Sequence, residues 1–534
     1  MSISARPDRN APLWGRFEQA FVSPYRYENA LQDVDLAVTF VSPSGHEVPV
    51  DAFWDGGYTW RVRFMPDEQG HWHYRTMCSD AANTGLHNLE GSFWCGAPDC
   101  ATPFGRHGRL RLSDNRRYIT HDDGTPFFWL GDTCWAGPMQ ASDEEWDDYL
   151  RVRTRQGFNT VQFMGMHSLA APCGDRDGET GFSGTERVAV NAAFFRRLDR
   201  KIDAMNRAGL VAVPALLWAA HWSTPEVNAH NPGLWLPEDQ CVRLARYMVA
   251  RWGAHHVVWI LPGDAVYTGE RVARWLRIGR AVFGSLPHAL VTLHPGGQHW
   301  YADNFRHEDW LNVIGYQGGH SCAVDWLTWD VSGDPATDWR AAPMRPIINL
   351  EPCYEYHVDQ GDLSRRLTPF DVRRAVYWSL LVSPTAGVTY GGHGVWGWDD
   401  GLRPPINHPT TGVSLPWREA LEMPGAYQMA HVAKLFKSIE WWRLLPAPEM
   451  VLDQPGLEAV GRTVVAARSE QGDLAVVYVP SEAQVHIALA AMQPDLSAFW
   501  FDPRTGVRTS TTGKDGLFAA PGAQDDYLLL LTRL

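Results

Sequence analysis

Two carboxylates stand at the ends of apolar runs in this chain of 534 residues: Asp264, after Val257–Leu261 and Pro262-Gly263, and Glu351, after Pro346–Leu350. A pair of carboxylates facing one another across a site suits hydrolysis of a glycosidic bond. One must be a protonated acid that gives its proton to the leaving oxygen. The other must stay ionised, to attack the anomeric carbon or to activate water there. A carboxylic acid keeps its proton near neutral pH only in an apolar or negatively charged setting. Trp259, Ile260, Leu261 and Pro262 offer Asp264 the apolar part of one. Glu355, one turn beyond Glu351, is a rival that also fits an orienting or turn-capping role. Asp132 is a third candidate, read as an acceptor for a sugar hydroxyl.

Those residues need a scaffold that brings strand ends together. From about Gly105, eight short apolar runs alternate with longer helical stretches: Phe127–Leu130, Thr160–Met164, Val211–Leu217, Val257–Leu261, Ala289–Leu293, Leu311–Tyr316, Pro346–Leu350 and Ala386–Tyr390. Helices are expected over Ser142–Gln156, Ala192–Ala208, Asp239–Trp252 and about Tyr427–Ser438. Ser142 followed by Asp143, Glu144 and Glu145 makes a helix start that suits the dipole. Eight strand–helix repeats over such a length predict a TIM-type barrel, whose function gathers at the C-terminal ends of its strands. Residues at or beyond those ends are therefore the candidates for substrate contact: Asp132, Gln162, His221, Gln317, His393 and Trp396; the fifth run leads to His294, which is not among them.

The flanks read differently. Before the barrel, Leu36, Val38 and Phe40, then Trp60, Val62 and Phe64, then Trp72, Tyr74 and Thr76 recur with period two between turn residues. After Pro446 the same alternation returns in Val464–Arg468, Leu474–Val479, Val485–Leu489, Ser497–Phe501 and Tyr527–Leu531. Such alternation predicts a small antiparallel sandwich on each side. The expected class is α/β, a central (β/α)8 barrel flanked by two β-sandwich domains, with boundaries at 1–104, 105–440 and 441–534.

Composition narrows the partners. There are 26 Trp, 17 Tyr and 21 Phe, which suit both large aromatic cores and stacking on the C–H faces of sugars. With 61 acidic against 47 basic residues the formal charge is −14, and without a basic tract neither a nucleic acid nor a membrane surface is an expected partner. A neutral carbohydrate is. The HExxH, Gly-rich phosphate-loop and GxSxG patterns are missing, and His255-His256 point apart. His71 and His73 read as one solvated strand face, so no metal or cofactor is expected. The eight Cys form no CxxC pair, and Met1–Arg16 is polar and broken by Pro7 and Pro12. No run approaches the ~20 apolar residues of a membrane span. A cytoplasmic location with reduced thiols is expected; the oligomeric state is not readable.

Five ordered motifs resemble those of the apiosidase-like glycoside hydrolases: Phe127-Phe128-Trp129-Leu130-Gly131-Asp132-Thr133-Cys134-Trp135, Gly157-Phe158-Asn159-Thr160-Val161-Gln162, Arg251-Trp252-Gly253 with Val258–Asp264, Asn349–Glu355, and Tyr390–Trp396. Pro262 stands where the family's fourth-strand motif usually has the first of two glycines. The flanks resemble the immunoglobulin-like domain often found before this barrel and the sandwich often found after it, the latter sometimes labelled collagen-binding. The resemblance implies a retaining glycosidase with Asp264 as acid/base and Glu351 as nucleophile. Retention requires carboxyl groups about 5 Å apart. The resemblance also implies exo-action on a furanoside such as apiose in a short oligosaccharide or glycoside. A pyranosidase on the same barrel is the first alternative, and a non-catalytic carbohydrate-binding protein the second.

Overall fold

A computed structural model describes residues 9–221, 230–522 and 525–533. The start of the polar N-terminal segment, residues 1–8, lies outside the described residues.

Eight parallel strands form the centre: β1 Trp129–Thr133, β2 Thr160–Met164, β3 Val211–Trp218, β4 Trp259–Gly263, β5 Val291–Thr292, β6 Ile314–Gln317, β7 Ile347–Glu351 and β8 Gly387–Tyr390. Every residue of each strand is buried, as expected where a barrel core lies on one face and helices on the other. The order β5-β4-β3-β2-β1-β8-β7-β6 is a nearly closed barrel. The short β5 meets β6 through single contacts rather than a ladder. The Val291 carbonyl accepts the Asn312 and Val313 N–H groups at 2.9 and 3.2 Å, and Thr292 Oγ1 accepts that of Gly315 at 3.0 Å.

Several strand ends differ from expectation, three of them at the candidate site residues. Pro126-Phe127 pairs with Ile119–Thr120 in a small antiparallel sheet ahead of the barrel, so β1 begins later and Asp132 lies inside it. β4 runs on through Gly263, and β7 through Glu351 itself. The helices α1 Asp143–Arg155, α2 Ala192–Arg207, α3 Glu238–Trp252, α4 Glu270–Phe283, α5 Ala302–Phe305, α6 Val324–Ser332, α7 Pro369–Leu381 and α8 Pro424–Lys437 follow the strands in turn. At the start of α1, Ser142 Oγ accepts the Glu145 N–H at 3.1 Å and the Glu145 carboxylate accepts that of Ser142 at 2.9 Å, a reciprocal cap. Among the described residues no helix is long and apolar enough to cross a membrane.

Antiparallel sheets flank the barrel on both sides. The N-terminal part has a five-stranded and a three-stranded sheet, with Val38, Phe40, Trp60, Val62, Trp72 and Phe93 buried between them. His71 and His73 are exposed. The C-terminal part has a six-stranded sheet and a two-stranded one, the latter pairing Gln484–His486 with Leu517–Ala519.

A buried ionic network fastens the N-terminal sheets to the barrel. Asp199 of α2 accepts from Arg251 of α3 at 2.8 and 2.7 Å, from Trp252 Nε1 at 2.8 Å and from Arg63 at 2.8 Å. Arg251 also reaches Asp55 at 2.9 Å, and Arg63 reaches Glu18 at 2.7 Å. Burial opposes ionisation of Asp199, but Arg251 and Arg63 outweigh it and hold its carboxyl at about 2. Removing one partner leaves buried charge uncompensated. Asp199→Ala is expected to lower stability by about 3–5 kcal/mol, read by urea denaturation; a loss below about 0.5 kcal/mol would show that the network does not anchor the sheets.

Candidate active site

Asp264 and Glu351 meet at the C-terminal end of the barrel, one just past β4 and the other closing β7. A carboxylate oxygen of each and a ring nitrogen of His294, which follows β5, all lie within 4.8 Å of one another. Asp264 has a left-handed backbone, φ 53°, a conformation uncommon outside glycine and better tolerated by Asp than by most residues. Gly263 before it is required by close approach: a Cβ there would stand 2.2 Å from the Trp218 ring. Gly391 does the same after β8, where a Cβ would stand 2.1 Å from the Tyr354 ring.

The two carboxylates sit in unequal surroundings. Glu351 Oε1 accepts from Gln317 Nε2 at 2.9 Å and lies 3.0 Å from His320 Nε2. His320 Nδ1 accepts the Tyr354 N–H at 3.3 Å, which leaves its Nε2 to donate. His294, completely buried, places Nε2 3.2 Å from Glu351 Oε2 and Nδ1 3.4 Å from Asp264 Oδ1. Burial disfavours its cation, but the two carboxylates outweigh burial and raise its pKa to about 9. Burial likewise works against ionised Glu351, yet His294 and His320 hold it well below the usual carboxylate range. Asp264 is pushed up to about 6, by burial first and then by the charge of Glu351, against the pull of His294. One carboxyl is thus poised to hold a proton and the other to stay ionised.

Asp264, His294 and Glu351 are also close enough to hold a metal ion. The ring stands between the carboxylates, however, each nitrogen turned to a different one. That arrangement suits an imidazolium with two anionic partners, and an ion bound at one nitrogen would have the other carboxylate across the ring.

A cavity of about 890 Å³ opens over Asp264 and Glu351. Trp135, Trp218, Trp326, Trp396 and Tyr354 line it, and residues 403–411 form one wall. Trp135 packs edge-on against both Trp218 and His294, with ring centroids 4.9 and 5.2 Å apart. Gln317 and Trp396, two of the expected substrate contacts, are on the cavity wall.

Four expected contacts are not. Asp132 is completely buried and points out of the barrel, where Tyr149 Oη and Arg153 Nε donate to its Oδ2 at 2.6 and 2.7 Å. The strand alternates its faces, and it is Gly131 whose face meets Thr160 and Thr389 inside the barrel. Gln162 lies inside the barrel, its Nε2 donating to Thr133 Oγ1 and the Leu350 carbonyl, both at 2.8 Å. His221 is exposed and paired with Arg271. His393 is buried behind Trp396: its Nδ1 accepts the indole N–H at 3.1 Å and its Nε2 faces the Gly412 carbonyl at 3.0 Å, so it orients the Trp. Glu355, the rival of Glu351, accepts from Tyr390 Oη at 2.7 Å and from the Gly425 N–H in the first turn of α8 at 3.1 Å. It caps that helix and is absent from the cavity wall.

Sequence reasoning passed over His294 and His320 as site residues. His294 stood at the fifth strand end and lacked only a partner to mark it. His320 lies beyond Gly318-Gly319, in a loop whose path back to Glu351 no local pattern reveals.

Residues 113–443 match the family model described as apiosidase-like, catalytic domain. Residues 10–79 match a domain of unknown function, DUF5060, and residues 445–532 a putative collagen-binding domain of a collagenase. Two solved structures from Bacteroides vulgatus resemble the chain. One, a glycoside hydrolase family 5 protein, is 21% identical with a TM-score of 0.68, over 81% of this chain and 95% of that one. The other, a putative glycoside hydrolase, is 18% identical with a TM-score of 0.70, over 99% of this chain and 100% of that one. At such identities the likeness is one of fold. No curated protein sequence matches the chain.

Proposed function

The chain belongs to the apiosidase-like family of glycoside hydrolases, and from that premise we propose that it is a retaining, exo-acting glycosidase with Asp264 as acid/base and Glu351 as nucleophile. The observation that carries this reading is a carboxylate pair with oxygens within 4.8 Å and pKa values driven apart. That spacing suits direct attack by one carboxylate; an intervening water needs a separation of roughly 6.5–9.5 Å.

In the first step Asp264 gives its proton to the glycosidic oxygen while a Glu351 oxygen attacks the anomeric carbon. The carbon–oxygen bond to the leaving group breaks, an alcohol departs, and Glu351 becomes a glycosyl ester. Esterification removes the negative charge that helps hold Asp264 up, so Asp264 now favours its ionised form, the base the second step requires. It takes a proton from water, the hydroxide attacks the anomeric carbon, and the ester bond breaks. His294 stays protonated throughout and offsets whichever carboxylate is charged. Gln317 and Trp396 contact the sugar.

The sugar we propose is a pentofuranose such as apiose, on a short oligosaccharide or glycoside. Cleavage of a panel of aryl furanosides and pyranosides by wild type, Asp264→Ala and Glu351→Ala tests this. Turnover of a furanoside that both variants lose is expected; turnover of pyranosides alone would replace the sugar, and activity surviving both substitutions would remove the site. We place the protein in the cytoplasm, which its eight unpaired cysteines support, and divide it at 104/105 and 440/441.

As a positioning residue, His294 has its own signature. His294→Gln removes a cation from Glu351, so the acidic limb of the pH–rate profile should move to higher pH, with kcat lowered about 10²-fold. An unmoved acidic limb would mean that His294 does not set the charge of Glu351.

A further inference from the structure

His357 and His408 line the active-site cavity and have no part in the acid–base chemistry. His357 follows β7 and is 2% exposed; its ring lies over that of His320, with centroids 4.4 Å apart. His408, half-buried, belongs to the wall formed by residues 403–411 and meets the Trp396 ring edge-on, with centroids 4.9 Å apart.

A backbone carbonyl fixes each ring. His357 Nδ1 lies 2.6 Å from the Val358 carbonyl, and His408 Nδ1 lies 2.7 Å from the Ile406 carbonyl. A carbonyl oxygen only accepts, so Nδ1 carries the hydrogen in both rings. Burial, and then the neighbouring His320 and His393, holds His357 well below the usual histidine range. Burial lowers His408 as well. Both rings are therefore held neutral, and the Nε2 of a neutral ring protonated at Nδ1 can only accept. Among the described residues no group is bonded to either Nε2, and neither atom is sealed inside the protein. Two acceptors of fixed sense, without a protein partner, thus face the cavity.

We propose that His357 and His408 each accept a hydrogen bond from a hydroxyl of the sugar being cleaved, and so restrict the site to a sugar that is free at both positions. The assignment rests on the glycosidase reading above. Asp264 and Glu351 also accept, but proton transfer and attack occupy them. His320 joins His357 to Glu351, the residue set against the anomeric carbon, so the hydroxyl that His357 meets belongs to the sugar attacked and not to the leaving group. A sugar that carries a further residue or an acyl group at either hydroxyl has no hydrogen to give there. It leaves an acceptor unmet, which is how a polar site rejects a misfit. The two histidines thus give exo-action a physical cause, because only an unsubstituted terminal sugar satisfies both.

The test uses the aryl glycoside that wild type cleaves in the panel above. The methyl glycoside of the same sugar, with its monodeoxy and monodeoxyfluoro analogues, serves as a series of competitive inhibitors. Fluorine cannot donate, so at a hydroxyl held by a histidine both replacements should raise Ki about tenfold. In His357→Phe, Ki for the parent methyl glycoside should rise about tenfold, and the discrimination should vanish at one position. In His408→Phe it should vanish at a second. Replacements elsewhere on the sugar should keep their wild-type effect in both variants, which a general loosening of the site would not allow. Should a variant fail to fold, the wild-type series still decides: if no position penalises the deoxy and the fluoro analogue alike, the proposal is overturned. Turnover by wild type with discrimination unchanged in either variant overturns it and leaves the glycosidase reading standing. Absence of turnover of every glycoside overturns both.

Discussion

Replacing Glu351 with Ala is expected to lower kcat by roughly 10⁴-fold or more, the order of effect when a covalent nucleophile is removed. Folding should survive, because two of the groups left behind, Gln317 and His320, line a cavity that water can enter. Azide tells whether the missing group was a nucleophile. A small anion fits the space of the lost carboxylate, attacks the anomeric carbon from the same face, and leaves a glycosyl azide of inverted configuration. Restored turnover with that product identifies the role of Glu351. If the variant retains wild-type kcat, or azide yields no such product, Glu351 does not attack the sugar.

The second large effect belongs to Asp264. Asp264→Ala should lose about 10²–10⁴-fold on substrates with a poor leaving group and far less on a dinitrophenyl glycoside, which departs without a proton. Its titration also sets the alkaline limb. A carboxyl raised to about 6 is protonated below that pH and ionised above it, so kcat/KM for a poor leaving group should fall as pH rises through about 6. At the acidic end, activity falls when Glu351 takes up a proton. The alkaline limb should disappear in Asp264→Ala assayed with the dinitrophenyl substrate. A limb that persists there belongs to another group.

Much of this was legible because barrel strands are buried on both faces and announce themselves as short apolar runs. Asp264 and Glu351 were singled out by the rule that chemistry gathers at strand ends, and the folded chain brings an oxygen of each within 4.8 Å; their separate roles are what the motif resemblance implies. Asp132 shows where that rule stops. The start of β1 is decided by the pairing of Pro126-Phe127 with Ile119–Thr120, a contact made by folding. A shift of register along a strand turns a side chain from the barrel to the helix layer, and Asp132 went to Arg153. Gln317 was found at the end of β6, but the neighbouring His320 was not, because Gly318-Gly319 redirects the chain. His393 was noticed for its position, but its Nδ1 accepts the Trp396 indole N–H behind the cavity wall. Strand-end position thus finds residues attached to strands, while those delivered by loops need the folded chain.

The central claim is that Asp264 and Glu351 act by double displacement, and the stereochemistry of the first product tests it most directly. Proton NMR recorded during early turnover of an aryl glycoside in a methanol–water mixture resolves the methyl glycoside formed by solvent attack, which does not mutarotate. The account predicts a product with the anomeric configuration of the substrate. A product of inverted configuration would mean that water or methanol attacks directly, and that Glu351 is not the nucleophile.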